Sequence, residues 1–389
     1  MTAADAQEAP EVVEDVFDGK TTGIEIERED PAASAPEPVI AKPWDPAQIR
    51  VSTSTFSLRN ILDMIDEASL ELAPDFQRGK VWKPEQKSRL VESLLLQIPL
   101  PAFYFAEDSE GRFRVVDGLQ RLSTLHAFVR GGGDSFRLKG LEYLDQENSG
   151  FGDLPVQWQR RIYNAQLVVN VIDPATPTEV MYDIFKRINT GGTPLNAQEI
   201  RHCMSKKRSR EILKRMTSMP EFNTATNNLG GHIRMNDREM ALRFSAFWLQ
   251  GVDAYLEKPA IDSFLERVTG MLDRPEEVPD EKVESLYADF RTAMTNAFLL
   301  FGEYAFRKWP EGTEARNPIN RALFESWSVA LTLYEAADLE RRREAIVHAA
   351  RRRMTEDFRY LEAITASTGD ARRVRYRFEA AAEDARAGL

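Results

Sequence analysis

Arg114-Val115-Val116-Asp117-Gly118-Leu119-Gln120-Arg121-Leu122-Ser123-Thr124-Leu125 is the most informative stretch of this 389-residue chain. An apolar, β-branched run ends in Asp-Gly and passes directly into residues with helical periodicity. The pattern predicts a buried strand and then a helix over GLQRLSTLHAFVRGG, opening on Gly118 and closing on glycines. At such a junction the free backbone N–H groups and the helix dipole can receive a phosphate. Gly118 lets a ligand approach the backbone closely. Arg121 can fork onto phosphate oxygens, and Gln120 can position a hydroxyl or a base. Asp117 can hold a metal ion such as Mg²⁺ or orient a water. A plainer arrangement uses the same residues, with Asp117 capping the helix beside a salt-bridged Arg121 and no ligand; spacing alone does not choose between them.

The pattern extends outward on both sides. Upstream, PAFYFAE and RFRVVD read as strands joined by the turn SEGR. WKPEQKSRLVESLLLQI reads as a helix with Pro84 in its first turn, and SLRNILDMIDEA as a helix with Ser57 available as N-cap. Downstream come a helix at LPVQWQRRIYN, a buried strand at AQLVVNVID, a helix at PTEVMYDIFKRIN ended by Gly191-Gly192, and a helix from LNAQEIRHCMS. From about residue 206 every periodic segment is helical. The fold class is therefore α+β, with a mixed α/β domain at 45–205 and an all-α helical domain at 206–389. Residues 1–44 are rich in Ala, Pro and acids, and read as a disordered acidic tail.

Composition limits the chemistry. No run of 18 apolar residues exists, so no membrane partner is expected. The start MTAADAQEAPEVVED lacks the basic-then-apolar order of a signal peptide, and the chain reads as cytoplasmic. One cysteine, Cys203, and four scattered histidines argue against a disulfide or a zinc cluster. The net charge of −11 is unevenly placed. Residues 1–44 carry eleven acids against three basic residues, whereas 341–377 carry eleven arginines against five acids. The arginine-rich end could grip DNA or a partner, or form a solvated face with salt bridges.

Two further clusters could complete a pocket. Gln77 and Arg78, in Pro74-Asp75-Phe76-Gln77-Arg78-Gly79 ahead of Trp82, suit stacking and hydrogen bonding to a base, or else form an ordinary loop. Asn189, Gly191 and Gly192 lie in FKRINTGGTPLNAQEIR, where the glycines make either a helix cap or one wall of an anion pocket. The nucleotide-binding candidates are thus Gln77, Arg78, Gly118, Ser123, Thr124, Asn189, Gly191 and Gly192, with Asp117, Gln120 and Arg121 as catalytic candidates.

The order PDFQRGKVWKPEQKSRLVESLLLQIPLPAFYF, VVDGLQRLSTL, FKRINTGGTPLNAQEIR resembles the GmrSD-type restriction endonuclease N-terminal domain family over roughly residues 56–205. The resemblance implies a ParB/sulfiredoxin-like fold whose strand–Gly–x–x–Arg–helix junction holds nucleotide phosphates. It also implies a link to nucleotide-dependent restriction of phage DNA. The usual central motif of that family is Asp-Gly-Gln-Gln-Arg; here Leu119 stands at the third position, while Asp117, Gly118, Gln120 and Arg121 match.

Other nuclease and hydrolase chemistries find little support. Relatives that cut DNA commonly carry a C-terminal His-Asn-His nuclease domain, but His232 and His348 lie far apart among helical segments. Asp75, Glu85 and Lys87 spell a loose PD…ExK string. Glu85 and Lys87 follow Pro84 at a helix start, where i and i+2 point in different directions. No G-x-S-x-G or GxxxxGK[ST] element occurs.

Two functions are expected from these readings. One is a nucleotide-binding, NTP-hydrolysing component of a DNA restriction or antiphage defence system, using Mg²⁺ and a nucleoside triphosphate. The other is a non-catalytic module that senses DNA or nucleotide and docks a separately encoded nuclease or toxin. A scaffold with a vestigial pocket is the blandest option.

Overall fold

The computed structural model describes residues 12–17, 19–27, 50–72, 82–108, 110–131, 135–176, 180–181, 184, 187 and 195–389. The chain separates into two compact units, Lys42–Met204 and the combination of Met1–Ala41 with Ser205–Leu389.

The first unit is built on a five-stranded mixed sheet. Its strands are β3 (Val51–Ser57), β4 (Leu70–Glu71), β5 (Phe103–Glu107), β6 (Phe113–Asp117) and β7 (Gln166–Ile172), following a hairpin, β1 (Glu14–Phe17) and β2 (Lys20–Glu25), that belongs to the other unit. The sheet order is β3-β7-β5-β6-β4. β3 pairs antiparallel with β7 from Val51↔Ile172 to Ser57↔Gln166, and β7 runs parallel to β5. β5 is antiparallel to β6, which brings Tyr104 opposite Asp117. In β7 the alternating Leu167, Val169 and Val171 are buried, as a half-covered strand requires.

Helix starts follow local chemistry. The Ser57 hydroxyl accepts the Asn60 N–H at 3.2 Å to cap α1 (Leu58–Asp66). Pro84 opens α2 (Pro84–Leu95), and the Lys83 N–H donates to the Gln86 side chain at 2.9 Å. This places Glu85 and Lys87 in the first turn of a helix, as their sequence position requires. α3 (Leu119–Arg130) begins on Gly118 and ends on Gly131, and α4 (Val156–Asn164) precedes β7. Leu58, Ile61, Leu62, Val91, Phe103, Phe105, Leu122, Leu125 and Val169 form one apolar core between these helices and the sheet. The half-buried Arg114 ties β6 to Glu71 at 3.2 Å and to the Cys203 carbonyl at 2.8 Å.

Among its described residues the second unit is helical apart from the β1–β2 hairpin and isolated bridges. Helices Asn236–Glu257, Asp280–Phe301, Arg321–Leu331 and Ala371–Asp384 surround a core that includes Phe244, Phe247, Phe290 and Phe324. Within it lies a buried ionic group. Glu325 is fully buried and accepts from Arg243 at 3.0 Å and from Arg377, while Arg243 also donates to Glu239 at 2.9 Å.

The expectation of disorder across 1–44 does not hold for Glu14–Phe17 and Lys20–Glu25. β1 and β2 pair antiparallel, and β2 continues onto the helical unit, where the Glu25 N–H donates to the Ile319 carbonyl at 2.9 Å. Ile24 is fully buried, and the Glu25 carboxylate meets Lys308 at 2.6 Å and Asn320 at 2.9 Å. Composition failed here because it measures what a segment can bury by itself, whereas these residues are buried by helices far along the chain. Among the described residues no helix is long and apolar enough to cross a membrane.

Candidate functional site at the β6–α3 junction

The sheet positions this junction. β6 carries Val115 and Val116 into the core and ends at the half-buried Asp117. Gly118 then turns the chain with φ 97° and ψ 7°, a left-handed conformation that glycine adopts without steric cost. A Cβ on Gly118 would lie 2.2 Å from Phe103 Cδ1 and 2.8 Å from Cε1, so the ring of β5 occupies the space where a side chain would be. Conformation and contact therefore demand glycine independently.

Arg121 is folded back over this corner. Its guanidinium lies 4.3 Å from the Phe103 ring centroid. It donates to Asp117 Oδ2 at 2.8 Å, to the Ala102 carbonyl at 3.2 Å and to the Pro101 carbonyl. Burial lowers the guanidinium pKa, and the charge and hydrogen bond of Asp117 oppose that shift. Three of these bonds draw on the five donors an arginine carries. The geometry contains the Asp–Arg pair of the plainer sequence reading, in the form of a clamp on the loop leading into β5.

Among the described residues no side chain caps α3, and its first turn holds no acidic residue. The N–H groups of that turn are thus a concentration of donors with positive dipole character. Gln120 is half-buried, and its side chain has no hydrogen-bond partner among the described residues. The structure brings Asp117, Gly118, Gln120 and Arg121 into one corner. Ser123 is exposed further along the helix, and Thr124 is buried on its inner side. Gln77, Arg78, Asn189, Gly191 and Gly192 lie outside the described residues. Phe103, Pro101 and Ala102 were not singled out from sequence, although the pairing of PAFYF with RVVD would have placed them beside Asp117.

Residues 58–205 match the family model of the GmrSD restriction endonuclease, N-terminal domain. Comparison with curated proteins finds no match. The GmrSD match implies a component of a restriction or defence system. It spans the whole β6–α3 corner, together with Gln77, Arg78, Asn189, Gly191 and Gly192.

The metal question turns on Asp117. Among the described residues no group of three or more His, Cys, Asp or Glu side chains could hold a metal ion. Asp117 engages Arg121 through Oδ2, while Oδ1 has no partner among the described residues. One free carboxylate oxygen fits a Mg²⁺ ion carried chiefly by the phosphates of a nucleotide, and does not fit a protein-built metal cage.

The arginine-rich C-terminal segment is a salt-bridged framework more than a free basic face. Arg342 pairs with Asp338, Arg353 with Asp384 at 2.8 Å, and Arg377 with Glu325. Arg343 donates to the Leu300 carbonyl at 3.2 Å and Arg373 to the Ala366 carbonyl at 2.6 Å.

Proposed function

We propose that this chain is the nucleotide-binding component of a prokaryotic DNA restriction or antiphage defence system, holding phosphates at the β6–α3 corner. The observation that carries the reading is the start of α3 at Gly118, where among the described residues no side chain caps the helix and the Gln120 side chain has no hydrogen-bond partner. An anion there meets first-turn N–H groups and lies close to a guanidinium. Asp117 would hold Mg²⁺ together with the phosphates, and the ion would supply charge neutralisation. Gln120 would orient a water or a ribose hydroxyl. Arg121 contributes its charge while keeping the β5 loop in place. Gln77, Arg78, Ser123, Asn189, Gly191 and Gly192 are assigned to the same nucleotide by the resemblance of their motifs, whereas Thr124 is buried on the inner side of α3.

A second reading, binding without hydrolysis, is favoured by a separate observation. Arg121 is engaged by Asp117 and two carbonyls, and Asp117 is the only carboxylate assigned to this corner. On that reading the bound nucleotide or DNA signals to a separately encoded nuclease or toxin.

A thermal-shift and phosphate-release panel of the four nucleoside triphosphates with Mg²⁺, with and without DNA, tests both. Wild type is expected to gain thermal stability with at least one nucleotide. Arg121→Ala should weaken binding by about tenfold to a hundredfold, the loss of a charge-assisted contact of ~1.5–3 kcal/mol. Release of phosphate makes the chain an NTPase, and a shift without release makes it a sensor. No shift with any nucleotide overturns the phosphate reading.

A further inference from the structure

A second site lies within the sheet unit, on the face formed by the C-terminal end of α2, the loop after it, α4 and the start of β7. A groove of about 590 Å³ opens there. Among the described residues its polar lining is Gln97, Gln157, Arg160, Arg161, Asn164 and Gln166, over an apolar floor, and none of the described lining residues is acidic. That composition is unexpected in a chain with 62 Asp and Glu against 51 Lys and Arg.

The state of these side chains makes the groove more than a gap between helices. Arg161 is anchored, donating to the Leu95 carbonyl at 2.8 Å, and Gln166 donates to the Asn164 carbonyl at 3.0 Å. Gln97, Gln157 and Arg160 are exposed and have no side-chain hydrogen bond or ion pair among the described residues. Arg160 thus differs from Arg342, Arg353 and Arg377 of the C-terminal helices, whose charges are met by carboxylates of their own unit. An unpaired guanidinium beside a second one attracts a polyanion. Primary amides, each a donor and an acceptor side by side, match the polar edges of bases.

We infer that this groove binds a nucleic-acid strand, with Arg160 and Arg161 on phosphates and the amides of Gln97 and Gln157 on base or sugar edges. The inference goes beyond the nucleotide reading and uses none of the residues assigned to it. The loop is nevertheless shared in one respect. Gln97 lies at one end of the segment whose other end, Pro101 and Ala102, is held by Arg121. A strand in the groove and a nucleotide at the β6–α3 corner would therefore act on opposite ends of one short loop.

The test uses the full chain and fluorescence anisotropy with labelled single-stranded and duplex DNA 20-mers over a salt series. A polyglutamate peptide of matching length serves as a non-nucleic polyanion. Arg160 is the residue to change, because its side chain makes no hydrogen bond or ion pair among the described residues that its removal would break. Arg160→Glu is expected to weaken DNA binding at least about tenfold and to lower the salt slope by roughly 0.7 for a single strand or 0.9 for a duplex. Gln157→Ala should weaken binding without changing that slope. Melting temperature and the nucleotide shift of the Arg160 variant should match wild type, which separates failure here from failure at the β6–α3 corner. The inference is overturned if neither DNA binds, or if Arg160→Glu binds as wild type. It is also overturned if the loss appears instead in Arg372→Glu and Arg375→Glu, or if polyglutamate binds as tightly with the same Arg160 dependence.

Discussion

Gly118 concentrates three constraints in one residue: a left-handed backbone, a side-chain position already filled by Phe103, and the start of an uncapped helix. Gly118→Ala is expected to destabilise the sheet unit by about 1–3 kcal/mol, combining backbone strain with displacement of a packed ring. Urea denaturation measures the cost, and an unchanged midpoint would show that the ring moves aside freely. Asp117, Gly118 and Arg121 were legible as a unit in the sequence because a buried strand running into glycine and a helix leaves few geometries. What spacing could not choose was the direction in which Arg121 points. That depended on the Pro101 and Ala102 carbonyls of the loop leading into β5 and on the Phe103 ring at its start.

Protonation bears on the β1–β2 hairpin through His232. His232 lies between it and the helical unit. Its Nε2 meets the Thr22 carbonyl at 3.1 Å, and its Nδ1 accepts the Arg234 N–H at 3.1 Å. That pattern requires a neutral ring protonated on Nε2. Burial lowers the His232 pKa from its ordinary 6.5; Asp237, the Thr22 carbonyl and Asp15 oppose the shift, and Arg321 adds to it. The unfolded chain consequently binds the proton more readily than the folded one. The stabilisation from neutral His232 is complete above pH 6.5 and is lost as pH falls through the depressed folded value. Amide exchange across residues 20–25 should therefore quicken as pH drops below 6.5, after correction for the intrinsic rate. His232→Gln should flatten that dependence; an equal dependence in the variant would assign it to other groups. Element by element, the helices capped by Ser57 and opened by Pro84 were readable because their signals are local. The hairpin was not, since its partners are Ile319, Lys308 and Asn320.

At the scale of the whole molecule, the chain begins and ends in the same unit, with the sheet unit formed by the residues between. Removing residues 1–27 would take the Glu25 carboxylate from Lys308 and uncover the apolar surface that buries Ile24. Breaking a buried ion pair by deleting one partner costs about 3–5 kcal/mol. The deletion is expected to lower the unfolding transition of the helical unit while leaving that of the sheet unit in place. Calorimetry of full-length and shortened protein measures this. A helical transition at the original temperature would show the hairpin to be dispensable. The two assignments to the sheet unit, a nucleotide corner and a nucleic-acid groove, suit a component of a restriction or defence system that recognises its target and passes the signal onward.

The division of the chain into a sheet-bearing region and a helical region was readable in its hydrophobic period, because alternation and 3.6-residue spacing are properties of neighbours in sequence. So was the Asp-Gly-x-Gln-Arg corner, where a glycine separates strand from helix. Tertiary structure alone decided which charges are available. Eleven arginines in residues 341–377 look like a basic face in the sequence, yet the folded chain turns several of them toward carboxylates and carbonyls within the unit. Arg160, by contrast, has no ion pair among the described residues; an ion pair forms between groups close in space, and sequence order does not record that distance.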